Sequence, residues 1–141
     1  MRVKRNYWGL DDWTPSKDEI GFIYQITNNR LGLKYIGCKR FWSVKTIDGK
    51  KKKVESDWRR YKGSSNETKT WDVIDCTFEM LKICHSLYEL SYEEIRYLIE
   101  NKALLRTDYV NWNMGSQTIG RVPNYMAISV TNVTNTLDEW C

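Results

Sequence analysis

Two short apolar runs on either side of a turn open the regular part of the chain. Residues 21–27 are rich in β-branched and aromatic side chains, so they predict a strand. Residues 28–32 favour a turn, and residues 34–38 predict a second short strand. Because so few residues separate the two runs, we expect them to pair as an antiparallel hairpin.

Two serines mark predicted helix starts in the middle of the chain. Ser56 is a candidate N-cap for a helical turn over residues 57–61. Ser64 and Glu67 have the spacing of a capping box, which predicts a helix from there to about Asp75.

Further along, the pattern predicts one more strand and one longer helix. Residues 77–84 predict the third strand. Ser91 is predicted to start a helix that runs to about Lys102, and residues 103–115 then form a loop. The helical period places Ile95, Leu98 and Ile99 on the buried side of that helix.

Three segments lie outside these elements. Residues 43–55 are polar and lysine-rich around an Asp-Gly pair, so we expect a mobile loop or a small hairpin that stands off the core. Residues 1–19 form an irregular N-terminal extension. Residues 116–141 form a C-terminal extension, and an extra strand is predicted there from the alternation of Met126, Ile128 and Val130.

The element order predicts an α+β fold with a small three-stranded, mostly antiparallel sheet flanked by helices. A chain of 141 residues with 41% hydrophobic residues supports one core, which we place in a domain over residues 20–115. The four cysteines form no C-x-x-C pair, which argues against a zinc site. No apolar run reaches the roughly 20 residues of a membrane span, so we expect no membrane partner and a cytoplasmic location.

Charge clustering is more informative than the net charge of +4. Lys50, Lys51, Lys52 and Lys53 are consecutive, and Arg59 and Arg60 follow soon after. These six residues are candidate nucleic-acid contacts, because lysine and arginine bind phosphates. A solvated loop with no partner is the alternative for the lysine run.

The paired motifs Phe22-Ile23-Tyr24 and Tyr35-Ile36-Gly37 resemble the GIY and YIG motifs of the GIY-YIG nuclease family. Phe22 stands where the family has glycine, and the two tyrosines are eleven positions apart, as is usual in the family. The resemblance implies a GIY-YIG fold, a nuclease domain at residues 20–115 and catalytic roles for Tyr24, Tyr35 and Gly37. Single tyrosines of this kind would otherwise be ordinary strand residues.

The resemblance extends to three residues further along the chain. Tyr61 matches the helix tyrosine or histidine of the family, Glu94 the metal-binding glutamate, and Asn111 an asparagine in a downstream loop. Residues 56–65 are similar to phage-type members. Glu94 has an alternative role as the last residue of a Ser91 capping box. Asn111 also has an alternative role, as a loop residue whose side chain forms hydrogen bonds with nearby backbone groups.

One residue departs from the family pattern. The family's catalytic arginine lies four residues before the helix tyrosine, and that position here is Asp57. A nuclease needs a cation to stabilise the phosphate charge in the transition state. We expect Lys39 or Arg40 to supply it, with Arg59 and Arg60 as the next candidates.

The helical period also separates two neighbouring glutamates. Glu94 is about 40° from Leu98 on the helix and can face the sheet, whereas Glu93 falls on the solvated side with Arg96 and Glu100. The helical period therefore favours a site role for Glu94, to which the resemblance assigns metal binding, with Glu93 as the fallback.

The resemblance implies a DNA endonuclease that uses Mg²⁺ (or Mn²⁺) held by Glu94. Asp57 motivates an alternative, a catalytically impaired module that still binds nucleic acid. A protein-interaction domain with no nucleic-acid role is a third hypothesis. DNA recognition must come from the nuclease domain, the basic segment, the tail or an accessory partner, and cutting both strands requires a homodimer or sequential nicking.

Overall fold

A three-stranded antiparallel sheet forms the centre of the molecule in the computed structural model, which describes residues 6–10, 12–112 and 122–128. Strand β1 (Gly21–Asn28) lies between β2 (Leu33–Arg40) and β5 (Cys76–Cys84). The predicted hairpin is confirmed, and both of its strands are slightly longer than expected. Across it, Tyr24 pairs with Gly37. Because β1 is the central strand, β2 lies at one edge of the sheet.

The lysine-rich segment forms a second, two-stranded sheet. Strands β3 (Trp42–Ile47) and β4 (Lys50–Glu55) pair antiparallel, and we call this hairpin the lysine ribbon. Its two turn residues, Asp48 and Gly49, have positive φ angles of 53° and 75°. These angles define the tight type I′ turn that Asp-Gly favours in hairpins. Of the two predicted states, the small hairpin is the one that forms.

The middle of the chain is less helical than predicted. Ser56 caps no helix, because its hydroxyl donates to the Arg40 carbonyl, and only a 3₁₀ turn (Trp58–Arg60) follows. Helix α1 (Asn66–Thr70) is capped by Ser65 instead of Ser64. It has only five residues, since the buried Trp71 that follows is extended, and the predicted continuation to Asp75 is wrong.

Helix α2 (Leu87–Glu100) begins one turn earlier than predicted. Ser86 is its N-cap and accepts a hydrogen bond from the Glu89 N–H, so the predicted start at Ser91 is wrong. Leu98 is buried as expected, but Ile99 is 59% exposed, so its predicted burial is wrong.

Glu93 is also misplaced by the helical pattern. It is buried, with an exposed fraction of 6%, instead of lying on the solvated side. Lys82 of β5 donates to its carboxylate at 2.9 Å, and Arg96 donates to the other oxygen. The Glu93 carboxylate can be buried because the positive charges of Lys82 and Arg96 compensate its negative charge.

The two faces of the sheet carry separate cores. One face packs mainly aromatic side chains, among them Trp8, Phe22, Tyr24, Phe41 and Trp58. The other face packs against α2, mainly through Ile23, Ile36, Cys84, Leu90 and Leu98.

The described residues of the C-terminal extension form no strand. Residues 124–126 make a turn, and Met126 and Ile128 lie in and after it. Val130, the third residue of the predicted alternation, lies outside the described residues. Among the residues described, no helix has the length and apolar character that crossing a membrane requires.

Candidate active site

Three tyrosines meet on the aromatic face of the sheet. Tyr24 comes from β1, Tyr35 from β2, and Tyr61 from the segment after the 3₁₀ turn. The ring centroid of Tyr24 lies 6.1 Å from that of Tyr35 and 5.9 Å from that of Tyr61. The two motif tyrosines therefore share one face of the sheet.

Gly37 makes room for the Tyr24 ring. A Cβ atom at Gly37 would lie 2.4 Å from the Tyr24 hydroxyl oxygen and 2.9 Å from Cε1 of Tyr35. Real Cβ atoms essentially never make such short contacts. Gly37 is therefore required by the packing of the two tyrosines.

The Tyr24 hydroxyl is the buried polar atom without a hydrogen-bond partner among the described side chains. Its ring is fully buried, and burial raises the pKa of Tyr24 well above its usual value. The pKa of Tyr35 is also raised by burial, although a hydrogen bond with Ser64 opposes the shift. Both phenols are therefore neutral here, and either needs a nearby cation before it can accept a proton near neutral pH.

Lys39 is the predicted cation that reaches the tyrosines. It follows Tyr35 and Gly37 at two-residue spacing on β2, so the three share a face. Its Nζ atom lies 4.3 Å from the Tyr61 ring centroid and 2.7 Å from a carboxylate oxygen of Asp57. That hydrogen bond lowers the pKa of Asp57. Asp57 thus holds the cation of a neighbouring strand.

The other candidate cations have different surroundings. Arg40 lies on the opposite face of β2 from Lys39. There its positive charge weakly opposes the rise that burial causes in the pKa of Cys38. Arg59 is held by Glu55 at 2.9 Å and by the Trp13 carbonyl at 3.0 Å. Arg60 is exposed at the end of the 3₁₀ turn.

Glu94 reaches the edge strand from the α2 side. Desolvation raises the pKa of its carboxyl group, and the thiol and backbone N–H of Cys38 only partly oppose this shift. Its negative charge also raises the pKa of Tyr35. Glu94 and Tyr35 line the same groove at the edge of β2. Because Ser86 and not Ser91 is the N-cap of α2, the capping-box role of Glu94 is excluded.

Asn111 covers the outer edge of β2 at Ile36. Its side-chain amide donates to the Ile36 carbonyl at 2.7 Å and accepts from the Ile36 N–H at 3.0 Å. Asn111 therefore satisfies backbone groups, which was the alternative interpretation, and it is fixed beside the tyrosines as well.

A groove of about 400 Å³ crosses this edge of the sheet. Its lining combines predicted residues with others that the sequence did not single out. It is lined by Tyr35, Ile36, Ser64, Ser65, Asn66, Glu67, Glu94, Leu98, Val110, Asn111 and Trp112.

The structure places the predicted residues in four groups. The groove contains Tyr35, Glu94 and Asn111, and the adjoining aromatic face contains Tyr24, Gly37, Lys39 and Tyr61. The lysines at 50–53 are exposed on β4. In the described part of the chain, the arginines at 40, 59 and 60 form no hydrogen bond, ion pair or cation–π contact with these three tyrosines.

Four residues in or beside the groove were not predicted as site residues. Cys38 could have been found from strand alternation, which turns it towards α2. Ser64 was misinterpreted as a helix cap, although its hydroxyl pairs with that of Tyr35 at 3.0 Å. Glu67 and Trp112 reach the groove only through tertiary structure.

The donor set suits a hard cation that keeps most of its water. Within the described ranges, no three His, Cys, Asp or Glu side chains come together as a metal cluster. The carboxylates that line the groove are Glu94 and the exposed Glu67. Mg²⁺ is commonly bound by one or two carboxylates, with water and phosphate oxygens as the remaining ligands. The residues therefore fit Mg²⁺.

Comparison with known families agrees with the geometry. The model of the family described as "Putative endonuclease segE, GIY-YIG domain" matches residues 8–114. Searches of curated proteins and of solved structures found no match. The match covers most of the chain and includes both tyrosine motifs, Glu94 and Asn111, so the chain belongs to the GIY-YIG endonuclease family.

Proposed function

We propose that this chain is a metal-dependent endonuclease that hydrolyses DNA phosphodiester bonds in the groove across β2. One observation carries the proposal: Glu94 is a largely desolvated carboxylate at the groove, and no described lysine or arginine forms an ion pair with it. Charged groups out of water are normally paired or bound to a metal. A divalent cation would supply the missing charge.

Glu94 would hold Mg²⁺ or Mn²⁺, and the bound ion would supply Lewis-acid polarisation of the phosphate. The remaining roles belong to the tyrosine face. Lys39 carries the fixed positive charge nearest the tyrosines, so it would stabilise charge on the phosphate. The Tyr35 hydroxyl, whose side chain lines the groove, would position the attacking water, and the buried Tyr24 ring would hold the Tyr35 and Tyr61 rings in place.

The direct test is cleavage of supercoiled plasmid with Mg²⁺ or Mn²⁺. Glu94→Gln preserves the size of the side chain and removes its charge. Glu100→Gln makes the same change on the same helix at an exposed position. We expect nicking or linearisation by wild type and Glu100→Gln, and none by Glu94→Gln or with EDTA. Equal cleavage by both variants would refute the role of Glu94.

Asp57 supports a second candidate function, a nucleic-acid-binding module without cleavage. The family arginine is absent at this position, and the aspartate there neutralises Lys39. This alternative predicts salt-dependent DNA binding by wild type and no cleavage with either metal. Cleavage that Lys39→Gln abolishes, while DNA binding persists, would reject it.

A further inference from the structure

Among the described residues, the hydrogen bonds that anchor the lysine ribbon to the rest of the molecule lie at its base. The Trp42 indole N–H donates to the carbonyls of Ser16 at 3.1 Å and Glu19 at 3.0 Å. Lys53 donates to the Lys17 carbonyl at 3.0 Å. Beyond this base, every residue from position 44 to position 52 is exposed. The ribbon therefore projects into solvent.

Both faces of the ribbon carry lysines. Residues paired across an antiparallel hairpin share a face. Lys45 pairs with Lys52 and Ile47 with Lys50 on one face, and Lys51 pairs with Thr46 on the other. Neither face has the continuous apolar surface that would pack on a protein core.

The lysines of the projecting part carry charge that the described residues do not compensate. Lys45, Lys50, Lys51 and Lys52 form no ion pair with any described carboxylate. Glu55, at the base, is paired with Arg59. A partner with negative charge on two sides would complement this surface.

We propose that the lysine ribbon inserts into the major groove of duplex DNA. This inference rests on the proposed function, since it takes DNA to be the substrate. The major groove of B-DNA is about 12 Å wide and admits a two-stranded ribbon, and phosphates line both of its walls. Lysines on both faces match that geometry.

A single strand fits the ribbon less well. Proteins that bind single strands combine cations with aromatic side chains on which the bases stack. The projecting part, residues 44–52, contains no aromatic residue. Trp42, at the base, is already covered by the Lys17 ammonium group 4.0 Å from its ring centroid. The exposed Val44 and Ile47 are instead suited to contact thymine methyl groups in the major groove.

Binding of fluorescent 25-bp duplex DNA by Glu94→Gln tests the proposal without cleavage. Lys51→Gln/Lys52→Gln removes one lysine from each ribbon face, and Lys69→Gln/Lys102→Gln removes two exposed lysines elsewhere. We expect the ribbon pair to weaken duplex binding about 10-fold or more at moderate salt. It should also lower the slope of log Kd against log salt by about 1.8, because each lost phosphate contact contributes about 0.9. The control pair should leave both values nearly unchanged.

Competition and substrate shape complete the test. Methyl green, a major-groove ligand, should displace the protein, whereas netropsin in the minor groove should not. Double-stranded RNA, whose major groove is deep and narrow, should bind more weakly than DNA. Equal affinity for single-stranded DNA, displacement by netropsin alone, or equal effects of the two lysine pairs would overturn the proposal. Ribbon-dependent duplex binding with no cleavage by wild type would refute the nuclease function alone.

Discussion

Replacing Gly37 by alanine tests whether the tyrosine site depends on one close approach. The added Cβ would lie 2.4 Å from the Tyr24 hydroxyl oxygen, and ordinary contact begins at 3.4 Å. One of the two groups must therefore move by about 1 Å. Tyr24 has no free space, since it is fully buried with the Trp8 ring centroid 5.2 Å away and that of Tyr61 at 5.9 Å.

Overpacking of this kind costs about 1–3 kcal/mol of folding free energy. For a chain of this size, we expect the melting temperature of Gly37→Ala to fall by roughly 3–10 °C. Cleavage should fall by up to about 100-fold, because a displacement of about 1 Å misplaces a reacting group. Thermal unfolding and plasmid cleavage measure the two effects.

Two further variants separate packing from general instability. Gly32→Ala also introduces strain, because Gly32 has a φ of 69°, but its Cβ would meet nothing within 4 Å. We expect it to lose about 1–2 kcal/mol of stability and to keep normal cleavage when folded. Tyr24→Phe in the Gly37→Ala background removes the closest contact and should recover part of the lost stability. Wild-type stability and cleavage in Gly37→Ala would refute the packing argument.

Three other substitutions follow from the same structure. Glu94→Gln should melt at a higher temperature than wild type at pH 7, since the raised pKa means that the charged form destabilises the fold; added Mg²⁺ should stabilise only the wild type. Asn111→Ala should lose about 1–3 kcal/mol in denaturant unfolding, because both hydrogen bonds to Ile36 disappear; unchanged stability would contradict this. Glu93→Gln should lose about 1–3 kcal/mol at pH 7 through its hydrogen bond from Lys82. Burial alone would raise the pKa of Glu93, but its cationic partners lower it, so the difference should shrink as pH falls below about 4.

The sheet could be predicted because its signals are local. The β1–β2 hairpin follows from two apolar runs and a turn, and the lysine ribbon from Asp48-Gly49. Helix starts were harder, because two serines compete at each one. Ser65 and Ser86 are the actual caps, and neither differs in kind from the neighbouring candidate.

The family resemblance pointed to Tyr35, Glu94 and Asn111, which line one groove in the structure, and their roles stay predictions. Contacts between distant segments could not be predicted from the sequence. Glu93 is buried only because Lys82 of the neighbouring strand compensates it, and no helical period contains that information. The sequence shows that Asp57 replaces the family arginine. It does not show the ion pair of Asp57 with Lys39, which depends on how the chain after the lysine ribbon returns to β2. Helix pattern and motif spacing describe one segment at a time, so they cannot show such pairs.

The closed edge of β2 has a consequence for the behaviour of site variants in solution. Asp108 and Val110 bond to the Lys34 backbone, Asn111 bonds to Ile36, and Glu94 faces the Cys38 N–H. These groups occupy the positions at which a strand from another molecule would pair. Substituting Asn111 therefore opens a template for intermolecular β-pairing, and such variants should aggregate as their concentration rises, even while the isolated molecule remains folded.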